Sequence, residues 1–196
     1  VRHNRRPTDT TKDDALLMDV ARNPISGITH RYSRLGWNAK TGHAITQRLL
    51  ARRLLTFEHV STPTARLKIL TLTIDGRAYL HEQGVVLPPK ARGAVEHEYW
   101  RHIIRERLVR KGYAVLEEYP VGAGQAVDLY ASKAGRNLYI EVETGKSDIK
   151  RNPQKCAALE GTVIFFFTDG ALNAIEDWPA RVMRLKPSQL DDEHFF

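Results

Sequence analysis

The sequence predicts a mixed α/β (α+β) protein in two domains: a small helical domain with a β-hairpin, then a mixed sheet flanked by helices. Three observations predict it. Apolar residues recur at helical spacing up to about residue 55, and the period then switches to two in "TFEHV" and "RLKILTLTI". The paired prolines of "EQGVVLPPKARG" interrupt regular structure near residue 88. Beyond them a long helical pattern is followed by three alternating segments and an apolar run, Val163 to Phe167.

Bulk properties exclude several classes. The chain has 196 residues, 42% of them hydrophobic, enough to bury real cores. Its longest apolar run is far too short to span a bilayer, so no membrane partner is expected. The one cysteine, Cys156, excludes an internal disulfide framework and fits a cytoplasmic protein. The eight histidines show no zinc-like spacing with it. Charge is divided unevenly. Residues 1–95 hold 16 Lys and Arg against 7 Asp and Glu, a net of +9, whereas residues 96–196 hold 14 against 16, a net of −2. A basic half joined to a mildly acidic one suggests a polyanion-binding module attached to something else. A merely solvated basic surface is the plainer alternative.

Residues 1–12, polar and basic without periodicity, read as a flexible arm. A first domain then spans 13–87, a linker 88–93 and a second domain 94–196. In the first, a short helix over 13–22 is ended by Asn23-Pro24, and two helical segments follow, separated by a turn at Gly36-Trp37-Asn38. In the later segment, from about Thr41 to Leu55, Ile45 and Leu49 face inward. His43, Gln47 and Ala51 fall on the opposite face, flanked by Thr46 and Arg48. The two strands join across Ser61-Thr62-Pro63-Thr64, and the helix "DGRAYLHEQ" closes the domain.

Helix, helix, helix, hairpin, helix is the order of a winged helix-turn-helix. "LTLTIDGRAYL" also resembles the wing-to-last-helix passage of bacterial winged-helix regulators. The resemblance implies a DNA-binding domain whose third helix enters the major groove. Lys40, Thr41, His43, Gln47 and Arg48 would then reach bases or phosphates, with Arg66 and Lys68 of the hairpin on the flanking backbone. Winged helices also serve as dimerisation or protein-docking modules, and that reading stays open.

The second domain opens with the helix "AVEHEYWRHIIRERLVRK", ended by Gly112. At about 100° per residue, Trp100, Ile103, Ile104 and Leu108 form its apolar stripe. Glu96 falls within that stripe and Glu98 on the far side, towards water. A carboxylate on a buried face costs free energy unless it is paired or binds a cation. Three strands follow, "YAVLEEY", "QAVDLYA" and "NLYIEVE", the last two joined by the hairpin chemistry of "SKAGRN". Val127 and Leu129 are expected on one strand face, leaving Asp128 on the other. In "IEVETGK", Glu141 and Glu143 share one strand face, where they repel each other. A strand facing water would do this for solubility, and one building a metal site for chemistry. A helix from about 147 to 159 leads to the strand "TVIFFFT", which reads as a parallel crossover, with a further helix or strand up to about Lys186.

This order, with Glu96, Asp128, Glu141 and Glu143, resembles the restriction-endonuclease-like fold of the PD-(D/E)XK nucleases over about residues 94–168. The resemblance implies that Asp128 and Glu141 hold Mg²⁺ (or Mn²⁺), that Glu96 is an outer or third carboxylate, and that water is activated for attack on a phosphodiester. Hard oxygen ligands suit Mg²⁺, and the ion offsets both carboxylate repulsion and developing phosphate charge. The sequence departs from the family in two places. Val127 replaces the proline before the aspartate, and Glu143 stands at the lysine position. Lys155 in "RNPQKC", beside Asn152 and Gln154, is favoured over Lys146 to supply the missing charge, because a helix fixes a side chain better than a turn does.

These expectations give a Mg²⁺-dependent deoxyribonuclease whose winged helix binds DNA, duplex or branched. Two alternatives remain. One is a non-catalytic DNA-binding or regulatory protein whose second domain is a docking or sensing platform. The other is the C-terminal part of a larger DNA-processing machine, with an ATPase in the parent chain or complex. A homodimer is left open.

Overall fold

The computed structural model describes residues 7–87, 94–122, 124–145, 159–168 and 182–190. The chain divides into two compact units between Val95 and Glu96. That boundary follows the expected linker 88–93, which itself lies outside the described residues.

The first unit runs α1 (Pro7–Arg22), α2 (Ile28–Arg34), α3 (Ala39–Ala51), β1 (Leu55–Ser61), β2 (Arg66–Leu72) and α4 (Ile74–Glu82). The expected arm over residues 1–12 is corrected in part: α1 already begins at Pro7. Proline is tolerated in the first helical turn, where its missing N–H would have no intrahelical partner. The predicted reach of the third helix to residue 55 is also too long. Arg53 takes φ 57° and turns the chain into β1.

Side-chain caps start two of these helices. Asn38 accepts the Thr41 N–H at 2.8 Å ahead of α3, and Thr73 accepts the Gly76 N–H at 2.9 Å ahead of α4, each satisfying a donor the helix cannot. Leu16, Leu17 and Val20 of α1, Ile45 and Leu49 of α3, and Leu54, Leu55, Leu70 and Leu80 form one buried core. β1 and β2 pair antiparallel from Leu55–Leu72 to Ser61–Arg66. The α2–α3 turn is close-packed: a Cβ on Gly42 would come within 2.5 Å of the Tyr32 ring. The Tyr32 hydroxyl in turn lies 2.8 Å from Thr46 Oγ1.

The second unit holds α5 (Val95–Arg110), β3 (Ala114–Gly122), β4 (Gln125–Lys133), β5 (Arg136–Glu143), β6 (Thr162–Phe167) and β7 (Val182–Leu185). The five strands form one mixed sheet in the order β3-β4-β5-β6-β7. The first three pair antiparallel, and β5–β6 and β6–β7 pair parallel. The predicted parallel step is therefore present, and β5 runs inside the sheet with a neighbour on each side. The helix expected over 147–159 lies outside the described residues.

The apolar stripe of α5, with Trp100, Ile104 and Leu108 buried, covers one sheet face, where Trp100 lies 5.0 Å from Phe166 between ring centroids. The opposite face buries Val127, Val163, Phe165 and Phe167. Three half-buried tyrosines extend it, and Tyr119 and Tyr130 stack at 4.3 Å.

Candidate functional site

Asp128 sits where β4 departs from both of its neighbours. The β3–β4 ladder passes from Glu117–Leu129 to Tyr119–Val127 and omits the Glu118–Asp128 pair. The β4–β5 ladder starts only at Leu129–Ile140. Opposite the gap Glu118 adopts φ 49°, an uncommon conformation for a residue with a side chain and one often found at functional sites. The carboxylate of Asp128 turns towards β5, its Oδ2 accepting the Val142 N–H at 2.8 Å.

The same irregularity corrects the expected strand faces. Val127 packs with Phe165 and Phe167. Leu129 instead pairs with Ile140, which pairs with Ile164, on the face covered by α5. Val127 and Leu129 therefore do not share a face, because strict alternation fails at Asp128.

Glu141 and Glu143 do share one. Their register partners are Phe165 and Phe167, while Val142 partners Phe166 on the α5 side. Both acids are deeply buried, 4% and 1% exposed. Burial at this level removes the solubility reading for the pair, since neither carboxylate is presented to water. The Glu143 carbonyl also accepts the Thr168 N–H at 3.1 Å just past the end of β6.

From the helix it is His97, not Glu96, that reaches Asp128. His97 Nε2 lies 3.1 Å from Asp128 Oδ2, and its Nδ1 lies 3.6 Å from Glu98 Oε1. Burial opposes a charge on this ring, but the carboxylates of Asp128 and Glu98 outweigh it and raise its pKa to about 10. Glu96 is half-buried. Glu98 was expected towards water, yet its side chain is only 16% exposed and bonds Arg101 at 2.6 Å. Burial pushes the Glu98 pKa up, and His97 and Arg101 more than reverse this to hold it below the usual range. Arg101 also reaches Glu117 at 3.4 Å and Glu118 at 3.5 Å on β3. A sequence signal for His97 existed: it stands three residues before Trp100 and seven before Ile104, on the same helical stripe. Lys146 and Lys155, with Asn152 and Gln154, lie outside the described residues.

In the first unit α3 exposes Lys40, His43 and Gln47 and half-exposes Thr41. Arg66 and Lys68 are exposed on β2. Two flanking residues differ from expectation. Thr46 is buried against Tyr32. Arg48 is drawn back to the buried Asp13, its Nε donating at 2.9 Å, alongside Arg52 at 2.8 Å. Two arginines around one buried carboxylate are first of all a tertiary tie between α1 and α3.

No protein-family model matches the chain, and no curated protein does.

The donor set suits a hard cation. Asp128 and Glu141 both offer carboxylate oxygens, and the Asp128 carboxylate accepts the backbone N–H of Val142, the residue that follows Glu141. Among the described residues no three His, Cys, Asp or Glu side chains are grouped as a metal cage. A two-carboxylate site fits Mg²⁺ or Mn²⁺ better than it fits zinc or calcium, since Mg²⁺ keeps several waters and takes further oxygens from substrate phosphates. Among the described residues no helix is long and apolar enough to cross a membrane.

Proposed function

We propose that the chain is a Mg²⁺- or Mn²⁺-dependent DNA nuclease of the restriction-endonuclease-like kind, with a winged helix that holds the substrate. The observation that carries this reading is the break in both β4 ladders at Asp128, which turns its carboxylate onto the Val142 N–H beside the buried Glu141. A break that turns an acid out of the ladder and onto a backbone N–H and a histidine supports a chemical role for that acid.

Asp128 and Glu141 would hold the ion, which when bound polarises the phosphate and lowers the pKa of water. Glu143, where the family has lysine, offers a carboxylate that accepts a proton from attacking water. Lys155 is the residue proposed to supply the positive charge that Glu143 cannot. The exposed Lys40, His43 and Gln47 of α3, with Thr41 beside them, would meet the groove, and Arg66 and Lys68 of the hairpin would meet phosphates.

One test is incubation with single-stranded, duplex and branched DNA under Mg²⁺, Mn²⁺ or EDTA. Asp128→Asn and Glu141→Ala should each abolish cleavage while leaving DNA affinity in place. Cleavage that persists in either variant, or in EDTA, would sink the assignment.

A second reading is a non-catalytic DNA-binding protein that uses the sheet as a docking or sensing platform, alone or as part of a larger machine. The His97–Asp128 contact favours it, since a cationic ring already offsets the Asp128 charge. DNA binding without cleavage of any substrate, under either metal, is its expected outcome.

A further inference from the structure

We propose that His97 is a positioning residue for Asp128, fixing the direction in which that carboxylate meets a divalent cation. The proposal rests on the nuclease reading and adds to it a residue that the resemblance does not supply. Asp128 lies at a gap in the strand ladders. The Val142 N–H at 2.8 Å and His97 Nε2 at 3.1 Å converge on the same oxygen of its side chain, Oδ2, and so favour one direction of the carboxylate. An ionised carboxylate only accepts, so Nε2 carries a proton and donates it to Asp128.

His97 also faces a second carboxylate. Glu98 lies 3.6 Å from its other ring nitrogen, Arg101 bonds Glu98 at 2.6 Å, and Arg101 extends to Glu118 at 3.5 Å. Glu118 is the residue of φ 49° across the gap from Asp128. The chain of contacts thus leaves β4 at the gap, crosses α5 and returns to β3 at the same gap. A carboxylate oriented by a partner of this kind typically owes 10- to 100-fold of metal affinity to it.

Mn²⁺ titration calorimetry on the full chain without DNA tests this, with the melting temperature of each variant alongside. His97→Ala should weaken Mn²⁺ binding by about tenfold or more with little change in melting temperature. His97→Gln, which restores an N–H donor, should recover most of the loss. Should the alanine variant fail to fold, His97→Phe fills the space without a donor and should show the same weakening. Unchanged or tighter Mn²⁺ binding in the donor-free variant overturns the proposal, and tighter binding would mean that His97 competes for Asp128. A folded His97→Gln that binds as weakly as His97→Ala also overturns it. Failure of the nuclease site itself looks different: Asp128→Asn then binds Mn²⁺ as the unaltered chain does, or the unaltered chain binds none.

Discussion

Arg31 is 0% exposed, an unusual place for a guanidinium, and Asp19 accounts for it. Arg31 Nη1 lies 2.9 Å from Asp19 Oδ2, Arg34 Nε lies 2.6 Å from Oδ1, and Arg31 also donates to the Asp19 and Pro24 carbonyls. Burial raises the Asp19 pKa, but Arg34 and Arg31 more than offset this and hold it below the usual aspartate value. A depressed carboxylate contributes stability above its unfolded pKa of about 3.9, and that contribution is lost as pH falls through the lower folded value. Urea unfolding as a function of pH should therefore show stability falling below about pH 4, with a shallower fall in Asp19→Asn. At neutral pH that variant should lose about 3–5 kcal/mol, because Arg31 is left buried without its counter-charge. Nothing in "LLMDVAR" marks Asp19 as buried, since its partners come 12 and 15 residues later. The carboxylates of β5 were legible because alternation is a local rule. His97 was missed in favour of Glu96 because adjacent residues at a helix start differ by one step of rotation, and only the packed helix decides which of them meets the sheet.

Among the elements, α3 shows what periodicity reads well and what it does not. Its inward residues Ile45 and Leu49 and its outward His43 and Gln47 follow from spacing alone. The roles of Gly42 and Arg48 come from neighbouring elements. Gly42→Ala should destabilise the first unit by about 1–3 kcal/mol, measured by urea denaturation, because Tyr32 is buried and tied through its hydroxyl to Thr46 and cannot yield easily. Lys40→Ala with Gln47→Ala should weaken DNA binding at unchanged stability. Fluorescence anisotropy across a salt series should show the slope of log affinity falling by about 1 for the one lysine removed. Arg48→Ala belongs to another class: with Asp13 left short of a partner, a lower melting temperature is its main expected effect. Unaltered DNA affinity in the Lys40/Gln47 variant would point to a protein-docking role for α3.

Across the whole molecule, the order of elements was readable because each switch of period is marked by a turn, a proline pair or a glycine. Two units, a hairpin after three helices, and a three-stranded meander joined to a parallel strand all follow from those marks. The break at Asp128 was not readable. It depends on three strands parting together, and every residue there is compatible with unbroken pairing. One consequence concerns hydrogen exchange. Leu138 and Ile140 take part in ladders on both sides of β5, so their amides should exchange only when the sheet opens. Val142 donates its proton to the Asp128 side chain rather than to a strand. Its amide is thus a natural reporter on that carboxylate: Asp128→Ala should speed deuterium uptake at Val142 and leave Ile140 slow, a difference visible residue by residue in NMR spectra without any substrate.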